Sequence, residues 1–340
     1  MQNTAIQWTN HTVNFWWGCT PVSRACKHCF AKTIAKIFGK HLFGQPVEWG
    51  AGKPRFKRLE AARKEALKIE RKAAAELENW TRAVDARAGD SGPMPQRPRV
   101  FVNSMSDWLD DEVPIEWLAF LLETLAMCPH VDFQLLTKRP QNFKLRILGA
   151  ASWLRGARPE TNRQWLVDWC EDSSARANLW IGTTVEDQKA ADTRIPHLLQ
   201  IPAKVRFLSC EPLVGPIDLA GMEYFTAKLG KYPFHLPKEH RSSVLDAGIH
   251  WVIAGGESGG HAAPMHPDWF RSLRDQCAGA GVPFFFKQWG EWIDLGNMQP
   301  HMDRRAYKGH HFDDGTLMLR VGTKTAGDLL DGQQHHAFPA

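Results

Sequence analysis

RVFVNSMSDWLDDEVPIEWLAFLLETLAMCPHVDFQLLTKRP, residues Arg99 to Pro140, decides the fold class. It opens on a short apolar run, Arg99 to Asn103, passes through an amphipathic stretch, Pro114 to Cys128, and closes on a second apolar run, Asp132 to Leu136. The two runs lack clean alternation, as strands buried on both faces should. Strand, helix and strand in that order require a crossover connection and therefore a parallel pairing.

The signature recurs. Thr12 to Trp17, Asn178 to Gly182, Lys204 to Leu208, Ile249 to Ala254 and Pro283 to Lys287 are further strand-like runs, and Asp187 to Ile201 and His266 to Ala280 are further amphipathic stretches. The expected architecture is α/β, a full or partial TIM-type (β/α) barrel of six or seven parallel strands. Residues 1–298 are expected to form a single barrel domain with a basic helical insertion at about 51–97, and residues 299–340 a C-terminal extension packed on the barrel.

Composition narrows the classes. The chain has 340 residues, 43% of them hydrophobic, and no apolar run of membrane-spanning length, so a soluble globular protein that makes no use of a membrane is expected. The first ten residues hold no hydrophobic signal region, and seven cysteines, an odd number, point to a reducing compartment; the expected location is cytoplasmic. A net charge of +5 is mild. There is no Walker-type phosphate loop, no Gly-x-Ser-x-Gly elbow and no internal repeat beyond the strand–helix alternation.

Polar residues follow almost every strand. Asn103, Ser104, Ser106 and Asp107 follow the second, Lys138 and Arg139 the third, and Thr183, Thr184 and Glu186 the fourth. Glu211 follows the fifth, Gly255, Gly256 and Glu257 the sixth, and Lys287 ends the last. Loops are wet in any protein, but in a barrel these segments share the C-terminal rim, where sites of this architecture are built. Glu211, Glu257 and Lys287 are the candidate catalytic groups.

Cys19, Cys26 and Cys29 occupy a turn-rich segment between the first strand-like run and a helix. Thiolates hold iron or zinc when several converge, and one short loop brings three together at little entropic cost. Three ligands on a 4Fe-4S cluster leave one iron open. The alternative is a structural zinc site completed by His28 or His11. Cys128, Cys170 and Cys277 read as core residues, and Cys210 is more readily a packing residue than a ligand.

The triad Cys19-x6-Cys26-x2-Cys29, followed by Phe30, resembles the cluster loop of radical S-adenosylmethionine enzymes, where three residues rather than six usually separate the first two cysteines. That resemblance implies a 4Fe-4S cluster, S-adenosyl-L-methionine as cofactor and a separate electron donor. One electron would then break the carbon–sulfur bond, releasing methionine and a 5′-deoxyadenosyl radical. It further implies that Ser106 and Asp107 hold the methionine amine, with Asn103 and Ser104 beside them. Thr183, Thr184 and Glu186 would meet the ribose, Lys138 or Arg139 the carboxylate, and Gly255 and Gly256 would admit the adenine or ribose. The blocks Trp17 to Thr20, Phe101 to Asp107, Phe133 to Pro140, Ile181 to Asp187, Leu208 to Pro212, Gly255 to Gly259 and Phe286 to Gly290 also resemble a phage and bacterial family of unknown function.

Between Lys53 and Lys72 stand nine Lys or Arg against three Glu, and the apolar residues Leu59, Ala66, Ala73, Leu77, Trp80 and Val84 recur at helical spacing. Such a helix either tracks nucleic-acid phosphates, with Trp16, Trp17, Trp108, Trp289 and Trp292 available for stacking, or packs by its apolar stripe with its charges in solvent. His301, His310, His311, His335 and His336 lack the spacing of a metal motif and are expected on the surface. The leading expectation is a radical enzyme acting on nucleic acid or a nucleotide-derived group. The alternatives are a zinc-stabilised nucleic-acid-binding protein without catalysis, and a phage accessory protein that serves a protein partner.

Overall fold

The computed structural model describes residues 4–44, 47–86, 92–171, 176–224, 242–298 and 302–340. They divide into two compact units, Met1–Val22 with Ala31–Ile181 and Ile201–Lys204, and Ser23–Phe30 with Gly182–Gln200 and Val205–Ala340. His301 and part of the irregular stretch after Asp218 lie outside the described residues.

In the first unit the elements are β1 (His11–Val13), β2 (Trp16–Trp17), α1 (Phe30–Phe43), β3 (Phe56–Lys57), α2 (Leu59–Asp85), β4 (Arg99–Val102), α3 (Ile115–Ala126), β5 (Asp132–Thr137), α4 (Phe143–Ala157) and α5 (Gln164–Glu171). β6 (Leu179–Thr184) passes from this unit into the second. β1, β4 and β5 pair in parallel, with Val13, Val102 and Leu135 in one row. All three are essentially buried, and so are Leu118, Leu121, Leu122 and Leu125 of α3. Apolar β-branched runs thus become strands because both sheet faces are covered.

The second unit continues with α6 (Gln188–Leu199), β7 (Val205–Cys210), β8 (Glu223–Tyr224), β9 (Ser242–Ser243), β10 (Trp251–Gly255), α7 (Pro267–Gly279) and β11 (Phe284–Gln288). It ends with β12 (Trp292–Asp294), β13 (Lys308–His311), β14 (Leu317–Arg320), α8 (Thr323–Ala326), β15 (Leu329–Leu330) and β16 (Gln333–Gln334). Asp187 caps α6 by accepting from the Ala190 amide at 2.8 Å, and Pro267 opens α7 at a position where no amide donor is needed. The parallel strands follow the order β1-β4-β5-β6-β7-β10-β11, which meets the expectation of six or seven parallel strands; a closed barrel is not shown. β12, β14 and β13 form a separate antiparallel sheet.

The other edge of β11 is occupied. Phe285 bridges His336 in antiparallel sense, the Phe286 amide donates to the His335 carbonyl at 2.7 Å, and the Ala337 amide donates to Phe284 at 3.2 Å. His336 stacks on Phe285 at 4.3 Å, and Phe338 packs against Trp251 and Phe285. His335 and His336 are therefore half-buried structural residues, whereas His310 and His311 are exposed.

One expected strand is two. Thr12 to Trp17 breaks at Asn14, whose side-chain oxygen accepts from the Met105 amide at 3.0 Å, and at Phe15, whose amide donates to the Asn103 side chain at 2.8 Å. The chain leaves the parallel sheet there, and β2 pairs antiparallel with β3. The basic insertion also differs in balance from its opening run. α2 itself carries six basic and six acidic side chains, and it buries Leu59, Ala62, Ala66, Ile69, Glu70 and Ala73 but nothing beyond. Arg63 lies over the Phe120 ring at 3.4 Å and Glu70 meets His130 at 2.6 Å, so this helix packs on α3 by the half nearer its start.

Candidate functional site

Each unit gathers its strand-end loops into a hydrogen-bonded cluster. In the first, Asn103 adopts a left-handed backbone (φ 58°), a conformation asparagine tolerates better than most residues. Its amide donates to Val13 and its side chain accepts from Phe15. Ser104 bonds the Asn14 side chain at 3.2 Å, and the Ser106 hydroxyl donates to the Trp16 carbonyl at 3.1 Å. Asp107 accepts from the Thr137 hydroxyl at 2.7 Å, the Lys138 amide at 2.9 Å, the Arg139 guanidinium at 2.9 Å and the Leu109 amide at 3.0 Å. The loops after β4 and β5 therefore converge, as their shared edge implies. The polar atoms expected to meet a cofactor here are largely taken up by the protein itself.

The residue after Cys19 is held from three directions. The Thr20 amide donates to Asp110 at 2.8 Å, its hydroxyl accepts from Arg55 at 2.8 Å, and its carbonyl accepts from Arg139. Arg55 and Asp110 pair at 3.0 Å with side chains 3% and 1% exposed. Burial works to lower the Arg139 pKa, but Asp107 and then Asp110 override it and raise it, with Cys19 adding to the effect. The Trp49 indole donates to the Cys19 sulfur at 3.4 Å. Lys138, beside this cluster, makes no ion pair among the described residues and is half-buried.

In the second unit the loops after β6, β7, β10 and β11 meet likewise. The Val214 amide donates to the Glu186 carbonyl at 2.8 Å and the Leu213 amide to that of Gly255 at 3.1 Å. Lys287 donates to Glu211 at 2.5 Å, and both side chains are about one-fifth exposed. Thr183, Thr184 and Glu186 are buried, with Arg194 bonded to the Thr184 carbonyl at 2.8 Å and to Glu186 at 2.6 Å. Gly255 and Gly256 do not open onto free space. A Cβ on Gly255 would meet the Glu211 side chain at 3.3 Å, and one on Gly256 would lie 1.9 Å from the Trp289 carbonyl. At Gly256, chain passing chain requires glycine.

Cys26 and Cys29 belong to this unit, on either side of His28. The His28 Nδ1 lies 3.1 Å from Glu257 Oε1, and the other Glu257 oxygen accepts from the Ala263 amide at 2.7 Å. Glu257 is 9% exposed, and the His28 ring is 5.7 Å from that of His261.

The seven thiols fall into two classes. Burial pushes the Cys128 thiol up to about 12, Cys277 to about 12 and Cys170 to about 11, and raises Cys210 further. Cys19, Cys26 and Cys29 are half-buried, as is Cys170, and in no disulfide. As soft donors they suit iron or zinc in kind. Among the described residues, however, no three His, Cys, Asp or Glu side chains are gathered closely enough to hold a metal ion.

Sequence reasoning did not single out Thr20, Asp110, Trp49 or the site role of Arg55, nor the pairing of His28 with Glu257. The one available signal was the repeat of acids at Asp107 and Asp110.

Fold and clusters together define an α/β protein with a seven-stranded parallel sheet, charged strand-end loops and a separate three-cysteine segment. The chain belongs to the family described as "Protein of unknown function (DUF5131)", whose model matches residues 3–339. No match was found among curated proteins or among solved structures. Among the described residues, no helix is long and apolar enough to cross a membrane.

Proposed function

We propose that Cys19, Cys26 and Cys29 together hold a 4Fe-4S cluster and that the chain is a radical S-adenosyl-L-methionine enzyme acting on nucleic acid or a nucleotide-derived group. The observation that carries this reading is the placement of the thiols: Cys128, Cys210 and Cys277 are buried, and three of the four half-buried thiols, Cys19, Cys26 and Cys29, share one short segment. When bound, such a cluster supplies one electron at an iron free of protein ligands, the chemistry that radical initiation from S-adenosyl-L-methionine needs. The chain's own part is positional. Arg55, Asp110 and Arg139 fix the backbone next to Cys19, the Glu257–His28 contact fixes the backbone between Cys26 and Cys29, and Lys138 is left to meet an anionic group such as the cofactor's carboxylate. Glu211 and Lys287, each about one-fifth exposed, are the acid–base pair nearest in kind to substrate chemistry.

One observation favours a second reading. A histidine whose Nδ1 meets a carboxylate keeps Nε2 for a metal, the usual outer-shell arrangement at zinc. His28 and Glu257 have that arrangement, so a structural Cys3His zinc site in a non-catalytic protein is the competing assignment.

Anaerobic purification with iron, sulfide and zinc analysis, then low-temperature EPR of the reduced protein with and without S-adenosyl-L-methionine, separates the two. A four-iron signal that shifts on adding S-adenosyl-L-methionine, and is lost in Cys19→Ala, Cys26→Ala and Cys29→Ala, supports the enzyme. Zinc without iron, lost in His28→Ala, establishes the alternative.

A further inference from the structure

We infer that the outward face of α1 is a docking surface for a protein partner that presents carboxylates beside an apolar strip. The helix is inverted relative to an ordinary surface helix. Its buried ridge is Ala31, Ala35 and Gly39, small residues four apart, while large apolar side chains point to solvent. Phe30 is 69%, Ile37 56% and Phe38 47% exposed. They make up three of the ten large apolar side chains found exposed among the described residues, within nine consecutive positions of one helix. Concentration of that kind marks an interaction surface, where scattered single residues would not.

The second observation is charge. Residues 1–47 contain no Asp or Glu and five basic side chains, Arg24, Lys27, Lys32, Lys36 and Lys40, which equals the whole formal excess of +5 on the chain. Lys32, Lys36 and Lys40 recur every four residues and so line one ridge of α1, beside the ridge of Phe30, Ile34 and Ile37. None of these three lysines makes an ion pair among the described residues. A lysine row alongside an apolar row complements a protein surface with an apolar strip flanked by acids. A nucleic acid would match the lysines but leave Ile37 and Phe38 unused, since its interfaces are far more polar. The inference stands whatever the cysteines hold.

The test uses the full chain and four probes: a short helical peptide with a Leu/Phe row flanked by Glu, the same residues scrambled, a single-stranded oligonucleotide, and phosphatidylglycerol–phosphatidylcholine vesicles. Binding to the patterned peptide is expected to be about tenfold tighter than to the scrambled one. Phe30→Ser with Ile37→Ser, and separately Lys36→Glu with Lys40→Glu, should each weaken it by about tenfold, the charge effect fading as salt rises. Circular dichroism and melting should stay as in the parent, because every substituted side chain is exposed. Equal affinity for the scrambled peptide, no peptide binding, unchanged affinity in both variants, or tighter binding of the oligonucleotide or the vesicles overturns the inference.

Discussion

Arg139 donates to Asp107 at 2.9 Å, and both side chains are less than one-tenth exposed. A buried pair of this kind costs most when half of it is removed, because the survivor keeps its charge without a partner. Asp107→Asn is expected to lower stability by about 3 to 5 kcal/mol in urea unfolding. Arg139→Lys should also cost stability, since a single ammonium cannot reproduce a planar fork that reaches Asp107 and the Thr20 carbonyl together. Parental midpoints in both variants would show that the cluster is not what holds the two loops.

Thiol chemistry should separate the two cysteine classes. At pH 8 in the folded, metal-free protein, a disulfide reagent should modify Cys19, Cys26 and Cys29 and leave Cys128, Cys210 and Cys277 untouched until the chain unfolds. The raised thiols also set an alkaline limit. A folded pKa near 12 for Cys277, above its ordinary 9.0, gives a contribution complete below about pH 9 and lost as the pH climbs towards 12. Cys277→Val should flatten the fall in melting temperature over that window, and an unchanged slope would count against it.

The crossing at Gly256 makes a sharp prediction. Gly256→Ala forces a methyl to within 1.9 Å of a backbone carbonyl and should cost about 3 kcal/mol or more, or prevent folding. Gly260→Ala, where nothing lies within 4 Å, should change stability by no more than about 0.5 kcal/mol. Thermal melts of the two variants side by side check this, and equal effects would refute the close approach.

Lys138→Ala bears on the proposed cofactor. Calorimetric titration of the iron-loaded protein with S-adenosyl-L-methionine should show affinity reduced by about tenfold, with Lys138→Arg recovering most of it and the melting temperature unchanged in both. An alanine variant that binds as tightly as the parent removes Lys138 from the site.

The alternation of apolar runs and amphipathic stretches was enough to place the strands, because Val100, Phe133 and Ile181 must be covered wherever they go. The break at Asn14 was not legible. It depends on Ser104 and Met105, some ninety positions away, and local patterning carries no trace of such a partner. Gly255 and Gly256 read as openings for a ligand, yet the space beside them is filled by Glu211 and Trp289, whose approach depends on how β7, β10 and β11 line up. Thr20 is equally silent in sequence: an ordinary loop threonine becomes a fixed point only because Arg55, Asp110 and Arg139 converge on it. Charge partners that come from distant segments leave no local trace.

α2 is an excursion whose two ends are tied down. The Arg58 amide donates to the Phe15 carbonyl at 2.8 Å, and the Arg99 amide donates to the Asn10 side chain at 2.8 Å. Between those ties the chain is a closed loop, and closure entropy varies only as the logarithm of loop length, roughly 0.6 kcal/mol for each halving. Residues 74–85 contain no fully buried side chain, so the helix can be trimmed from its far end or extended there with little effect on the rest of the fold. That makes the far end of α2 the natural place to splice in a reporter domain.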